Sequence, residues 1–224
     1  MENLHFVTTS DGSKTIFNPE VGENYHSRHG ALQESRHVFL KSGLEFFLNT
    51  VQKNTVSILE VGFGTGLNFL LSADYCTSLQ VNLNYTGIEA FPLSYNMISD
   101  TGYEAYLETN ISKLFLSRYE ESFREAVELN AFCKLEVVKE KLEHFHTSEL
   151  FDVLYFDAFA AIHQPEMWTT EALANCCKHL RPGGVFVTYA ITGNLKRSMK
   201  SLGFEIEKAP GAPGKREMLR AIKL

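Results

Sequence analysis

The chain has 224 residues, 44% of them hydrophobic and 21% charged, with a formal net charge of −6. That is enough for one sizeable core, and the acidic balance excludes a protein that draws nucleic acid by its overall field, so such a substrate would need a local basic patch. No apolar run approaches the roughly 20 residues of a membrane helix. The start "MENLHFVTTSDGSK" lacks the basic-then-apolar order of a signal peptide, and Cys76, Cys133, Cys176 and Cys177 form no C-x-x-C pair, so a reduced, cytoplasmic setting is expected.

Residues 1–55 read as an N-terminal extension. Residues 56–61, "VSILEV", are short, β-branched and ended by glycine, which predicts a buried strand, and "LNFLLSADYC" continues with apolar residues at helical spacing. Further strands are expected at 83–91, 134–138 and 151–159, the last being the most apolar. Residues 92–131, rich in Tyr, Glu, Phe and Leu, read as a helical insertion. Pro165 opens a helix over 165–180, "RPGG" ends it, and a strand follows at 185–190. "NLKRSMKSLGF" predicts a helix closed by Gly203, and "FEIEKA" and "EMLRAIKL" are two strands around the loop "PGAPGKR". Strands alternating with helices imply a parallel sheet with right-handed crossovers. The last two strands have no helix between them and should pair as a hairpin. The expected architecture is α/β: a doubly wound, mostly parallel seven-stranded sheet with an antiparallel last strand, spanning 56–224 and carrying the insertion 92–131.

The stretch "ILEVGFGTGLNFLL" places a glycine turn between strand and helix, where a helix N-terminus makes a polar-ligand site at the carboxyl edge of a sheet. A dinucleotide fingerprint would be G-x-G-x-x-G. Here the glycines are Gly62, Gly64 and Gly66, and Leu67 stands where the third dinucleotide glycine belongs. The pattern E-x-G-x-G-x-G, with Glu60 near the positive end of the ligand, resembles class I S-adenosylmethionine-dependent methyltransferases. A turn with only a packing role is the bland alternative. Glu89 ends the next strand at the distance that sets an acid on a ribose, where a carboxylate can accept from both hydroxyls. Glu140, between Lys139 and Lys141, falls where this fold presents an acid beside the adenine. Asp157, at the end of the most apolar strand, would lie beside the activated methyl, able to orient an amine and accept its proton, or would merely cap the following turn.

"DAFAAIHQPEMWT", "GFGTGLNFL", "GFEIEKAPGAPGKREML" and the N-terminal "YHSRHGALQESRHVFL" together resemble the methyltransferase half of the bifunctional tRNA 5-methylaminomethyl-2-thiouridine biosynthesis family, MnmC, and its lone forms, MnmD. The resemblance runs from about Asp11 to Leu219. It implies methyl transfer from S-adenosylmethionine to the primary amine of a 5-aminomethyl uridine at the tRNA wobble position. It also implies that the extension folds over the cofactor, bringing Tyr25, His26, Ser27, His29, Glu34 and Ser35 near the cofactor's carboxylate or the uridine, with Phe159 in the same site. The family's oxidase half is expected to be absent, so a separate oxidase would supply the amine. Two departures stand out: Ala161 replaces the family's proline after "DAFA", and Glu140 sits between two lysines.

Lys196, Arg197 and Lys200 share one predicted helix, and Lys208, Lys215 and Arg216 follow. They are either a solvated face or a patch for RNA phosphates. Tyr103, Tyr106, Phe115, Tyr119 and Phe123 could stack a flipped-out base, although packing the insertion is the commoner role for such residues. His26 and His29 lack a third ligand at usable spacing, so no metal is expected. Other readings remain open on these residues: a small-molecule N- or O-methyltransferase on the same fold, a non-catalytic protein binding S-adenosylmethionine or RNA, and a dinucleotide oxidoreductase, which Leu67 disfavours.

Overall fold

The structure, a computed structural model, describes residues 4–224; the first three residues of the extension lie outside it. The chain opens with strands β1 (His5–Thr8), β2 (Lys14–Asn18) and β3 (Glu23–Asn24), an antiparallel sheet of its own. A continuous helical segment follows: α1 (Ala31–Ser35), a π-helical stretch (Arg36–Glu45) and α2 (Phe46–Thr50). It packs on the main sheet, and Gly43 sets the approach. A Cβ there would stand 2.9 Å from the Tyr155 ring and 3.0 Å from Val187, closer than real side chains approach.

Next come β4 (Thr55–Val61), α3 (Leu67–Leu79), β5 (Asn82–Ile88), α4 (Tyr95–Ser99), α5 (Ile111–Arg118), β6 (Val127–Asn130), β7 (Cys133–Val138) and β8 (Phe151–Phe156). Then follow α6 (Thr170–Cys177), β9 (Leu180–Thr188), α7 (Gly193–Ser201), β10 (Phe204–Pro210) and β11 (Glu217–Lys223). Three helices start on hydroxyl caps that accept from orphan backbone N–H groups: Ser94 from Met97, Thr169 from Ala172 and Thr192 from Leu195.

The main sheet runs β10-β11-β9-β8-β4-β5-β7-β6. The five strands from β9 to β7 in this order pair in parallel, while β11 is antiparallel to both β9 and β10. The doubly wound sheet with a reversed last strand is therefore present. It has eight strands rather than seven. The extra one, β6, lies inside the segment read as helical. Val127 and Leu129 are buried and Glu128 exposed, the two-residue alternation of a strand, and it folds back antiparallel on β7. The rest of that insertion is short helical pieces. Strand β9 also begins at Leu180, earlier than the expected 185, because "RPGG" is absorbed as a register shift against β8.

Chain order reverses between β4 and β8. From β4 the sheet grows through β5 and β7 on one side, and from β8 through β9 on the other. The carboxyl edge of that junction is where open α/β sheets bind ligands. One apolar cluster, including Phe39, Phe69, Tyr85, Phe115 and Tyr155, lies beneath α3 and the N-terminal helix. A second, including Phe156, Leu173, Phe186 and Met199, lies beneath α6 and α7.

Replacing Gly43 by leucine should overpack the helix against Tyr155 and Val187. The expected loss is about 1–3 kcal/mol, read in thermal melts as a fall of about 2–4 °C per kcal/mol. An unchanged melting temperature would mean that the helix does not approach the sheet as closely as described.

Candidate active site

Gly62, at φ +86°, follows β4 directly, and Asp157 follows β8 directly. The two neighbouring strands are so close here that a Cβ on Gly62 would strike the Asp157 carbonyl oxygen. The Asp157 N–H donates to the Val61 carbonyl at 2.9 Å, and the Gly62 N–H to the Ile88 carbonyl at 3.0 Å. The turn continues through Gly64, at φ +53°, whose missing side chain leaves room for Tyr25; a Cβ would lie 3.0 Å from that ring. Gly66, in the left-handed region, is the N-cap of α3.

The Gly64 N–H donates to Glu89 Oε2 at 2.9 Å, and the Phe91 N–H to Glu89 Oε1 at 3.0 Å. Glu89 is thus locked across the glycine turn, with burial raising its pKa. The Asp157 Oδ2 accepts from Asn68 Nδ2 at 2.8 Å. Burial first, and the charge of Glu34 second, push the Asp157 carboxyl up to about 8.

Residues of the N-terminal extension form one wall of the cleft. Glu34, 7% exposed, accepts from the Ser27 N–H at 3.0 Å and from Lys215 Nζ at 2.6 Å. Lys215 Nζ also sits 4.0 Å from the centroid of the Tyr189 ring. Tyr25 packs edge-on against Phe159, centroids 5.2 Å apart, and Glu23 Oε2 accepts from the Ala160 N–H at 2.8 Å. Trp168 Nε1 donates to the Phe159 carbonyl at 2.7 Å, holding the far side of the same loop. The cleft measures about 1180 Å³.

Of the residues expected from the sequence, Gly62, Gly64, Glu89, Glu140 and Asp157 line this cleft, as do Tyr25, His26, Ser27, Glu34, Phe159 and Lys215. His26 is buried, its Nδ1 3.2 Å from the Thr15 hydroxyl and its Nε2 3.4 Å from that of Thr65, and burial holds its pKa down at about 4. It enters the wall as a neutral ring. His29 and Ser35 do not reach the lining; His29 packs against Gly214.

Five others of the expected residues lie elsewhere. Glu60 is 0% exposed and absent from the lining. Strand alternation sends Leu59 and Val61 into the cluster under α6 and α7, so Glu60 faces the opposite side, under α3. There it accepts from Asn68 Nδ2 and the Tyr85 hydroxyl, both at 2.8 Å. Lys196 and Arg197 belong to α7, away from the cleft, where Arg197 bonds Asn194. Arg216 follows Lys215 but points to solvent. The capping glycine Gly66 also stays behind the wall, between the rings of Phe63 and Phe115. Tyr103, Phe115 and Tyr119 are core residues, 0–1% exposed, and stack no base.

Sequence reasoning missed Glu23, Asn68, Trp168 and Tyr189. Asn68 did carry a signal, as a lone amide in the otherwise apolar "LNFLL". Glu23 carried none. Among the described residues no cluster of His, Cys, Asp and Glu is placed to hold a metal, and no helix is long and apolar enough to cross a membrane.

A doubly wound sheet with a reversed last strand, carrying a glycine turn and a strand-end acid at its switch point, defines a class I methyltransferase fold. The chain belongs to the S-adenosyl-L-methionine-dependent methyltransferase family, whose model matches residues 103–224. It is 32% identical over 216 residues, 91% of its own length, to the tRNA 5-methylaminomethyl-2-thiouridine biosynthesis bifunctional protein MnmC of Methylobacillus flagellatus. Against the MnmC of Leptospira borgpetersenii it is 34% identical over 209 residues, 87% of its length. The chain spans about a third of the length of these curated relatives (33% and 31%). Its fold matches the crystal structure of MNMC2 from Aquifex aeolicus with a TM-score of 0.77 at 22% identity, covering 99% of this chain and 71% of that one.

The raised Asp157 pKa fixes a sign. Between its ordinary 3.8 and about 8 the folded protein binds a proton that the unfolded chain releases, so ligand-free stability falls as pH rises through that window. Asp157→Asn removes the burden. Thermal melts should show the variant more stable than wild type at pH 8, with the advantage vanishing near pH 4. A gain that grows toward acid pH would contradict the assignment.

Proposed function

We propose that this chain methylates the primary amine of a 5-aminomethyl uridine at the tRNA wobble position, giving 5-methylaminomethyl-(2-thio)uridine. The observation that carries the reading is the acid-rich cleft: Asp157, Glu34, Glu23 and Glu89 converge there, with Lys215 the neighbouring cation already held by Glu34. Such a site favours ligands that bring positive charge, as a sulfonium and a protonated amine do. The names of the relatives point to the same chemistry.

The residues present suit S-adenosylmethionine. The turn lines the cleft with the bare backbone of Gly62 and Gly64; a Cβ at Gly62 would strike the Asp157 carbonyl and one at Gly64 would crowd the Tyr25 ring, so the turn keeps this shape only with glycine. Glu89, pinned by two backbone N–H groups, keeps acceptor capacity for ribose hydroxyls, and Glu140 stands further along the wall for the adenine. When bound, S-adenosylmethionine supplies an electrophilic methyl group. Asp157 orients the amine by hydrogen bonding and receives the proton that nitrogen sheds. A cationic ligand in the cleft draws the Asp157 carboxyl back toward its charged form. Tyr25, His26, Ser27, Glu34 and Phe159 wall the uridine side and exclude water. In this reading residues 1–55 are the cover and 56–224 the catalytic domain, with 92–131 an insertion. Lys196, Arg197 and Arg216, outside the cleft, meet phosphates of the larger RNA. A cytoplasmic location and a separate oxidase supplying the amine belong to the same proposal.

The test is transfer of labelled methyl from S-adenosylmethionine to bulk tRNA lacking the modification. Asp157→Asn should keep cofactor affinity while kcat falls by roughly 10²–10⁴-fold, the range for a positioned proton acceptor, and higher pH should recover part of the loss. Near-normal turnover at neutral pH would reduce Asp157 to a structural cap. Gly64→Val should abolish S-adenosylmethionine binding in calorimetry, since the side chain would press on the Tyr25 ring across the cleft and the positive φ disfavours it; unchanged affinity would remove the glycine turn from the binding site. Reversing charge at Lys196, Arg197 and Arg216 should raise the KM for tRNA and flatten its salt dependence. Indifference to both would make them solvated residues only.

A further inference from the structure

Asn68 lies in the first turn of α3, 3% exposed, between two acids. Its Nδ2 is 2.8 Å from Glu60 Oε1 and 2.8 Å from Asp157 Oδ2. Both amide hydrogens are therefore committed to carboxyl oxygens. The reverse orientation of the amide would press its oxygen against two others. The committed orientation leaves Asn68 Oδ1 buried with no partner. An orphaned acceptor of this kind destabilises the fold, a cost that a plain packing residue such as leucine would avoid. Behind Asn68 the arrangement is rigid: Glu60 Oε2 takes the Tyr85 hydroxyl at 2.8 Å, and both Glu60 and Tyr85 are fully packed in the core.

We infer that Asn68 is a positioning residue that aims the Asp157 carboxyl at the substrate nitrogen, with Glu60 and Tyr85 as the fixed wall behind it. The inference rests on the reading of Asp157 given above. Among the described residues Asn68 makes the sole side-chain hydrogen bond to Asp157. By tying Oδ2 it leaves Oδ1 for the cleft. It also supports the charged form in difficult surroundings. The groups around Asp157 are Glu60 on β4, Tyr85 on β5, Glu23 on β3, Glu34 on α1, Tyr189 after β9 and Lys215 in the last hairpin loop. Only Lys215 is cationic, and Glu34 already engages it at 2.6 Å. Burial raises the Glu60 pKa well above the ordinary carboxylate value, while the hydrogen bonds from Asn68 and Tyr85 act the other way.

The test follows the Asp157 carboxyl directly. Carbon-13 spectra of aspartate-labelled full-length protein are titrated, with the signal assigned by its loss in Asp157→Asn. Asn68→Leu should move the midpoint up by about one pH unit, the effect of losing one hydrogen bond to the charged form. In the tRNA assay the acid limb of kcat should move the same way and kcat should fall about tenfold, while S-adenosylmethionine affinity changes less than about twofold. If Asn68→Leu does not fold, Asn68→Ala removes the same donors with less steric demand and should give the same shift. An unmoved midpoint in the folded variant would overturn the inference. If the wild-type protein transfers no methyl to tRNA, the functional reading fails on its own, and the carboxyl titration still decides the role of Asn68.

Discussion

The close approach of two parallel strand ends governs this structure. Strands β4 and β8 are neighbours, and the backbone of Gly62 meets the carbonyl of Asp157 so tightly that no other residue fits between them. That contact sets the glycine turn and the strand-end acid side by side at the one place where the sheet's winding reverses. The other site features follow from it. The turn can present the Gly64 N–H to Glu89 because β5 lies on the other flank of β4. Asn68 can reach Asp157 because α3 starts where the turn ends.

The electrostatics follow from what is then enclosed. Several carboxyl groups share a cleft that residues of the extension help to line, and Lys215 is engaged by Glu34. Burial makes Glu89 and Asp157 harder to ionise, and with the charge of Glu34 nearby Asp157 is pushed up to about 8. Held without ligand, this arrangement strains the folded state; a positively charged ligand relieves it. The same feature that lowers stability therefore selects the ligand's charge. The extension matters because it supplies Glu23 and Glu34, through contacts with the "DAFA" loop and with Lys215.

The strands and the glycine turn were legible because they depend on local pattern: β-branched runs ended by glycine, and an acid at the end of each of two strands. Glu89 and Asp157 could be placed for that reason. The motif position of Glu60 says nothing about which face of β4 it takes, and alternation turns it into the core beneath α3. Strand β6 was missed because four residues of alternation inside an aromatic-rich segment do not outweigh the helical reading. Lys196 and Arg197 were grouped with Lys215 on sequence proximity and charge, whereas the fold sends α7 and the hairpin loop to different surroundings. Glu23 and Tyr189 meet Asp157 only through tertiary packing, which no local spacing encodes.

The central claim is that this cleft directs a methyl group onto an amine carried by a transfer RNA. The most direct measurement is mass analysis of nucleosides from undermodified tRNA incubated with the protein and S-adenosylmethionine bearing a deuterated methyl. The account predicts one deuterated methyl on the aminomethyl nitrogen of the wobble uridine and on no other nucleoside. Label found on another nucleoside, or only on small amines with the tRNA untouched, would contradict it.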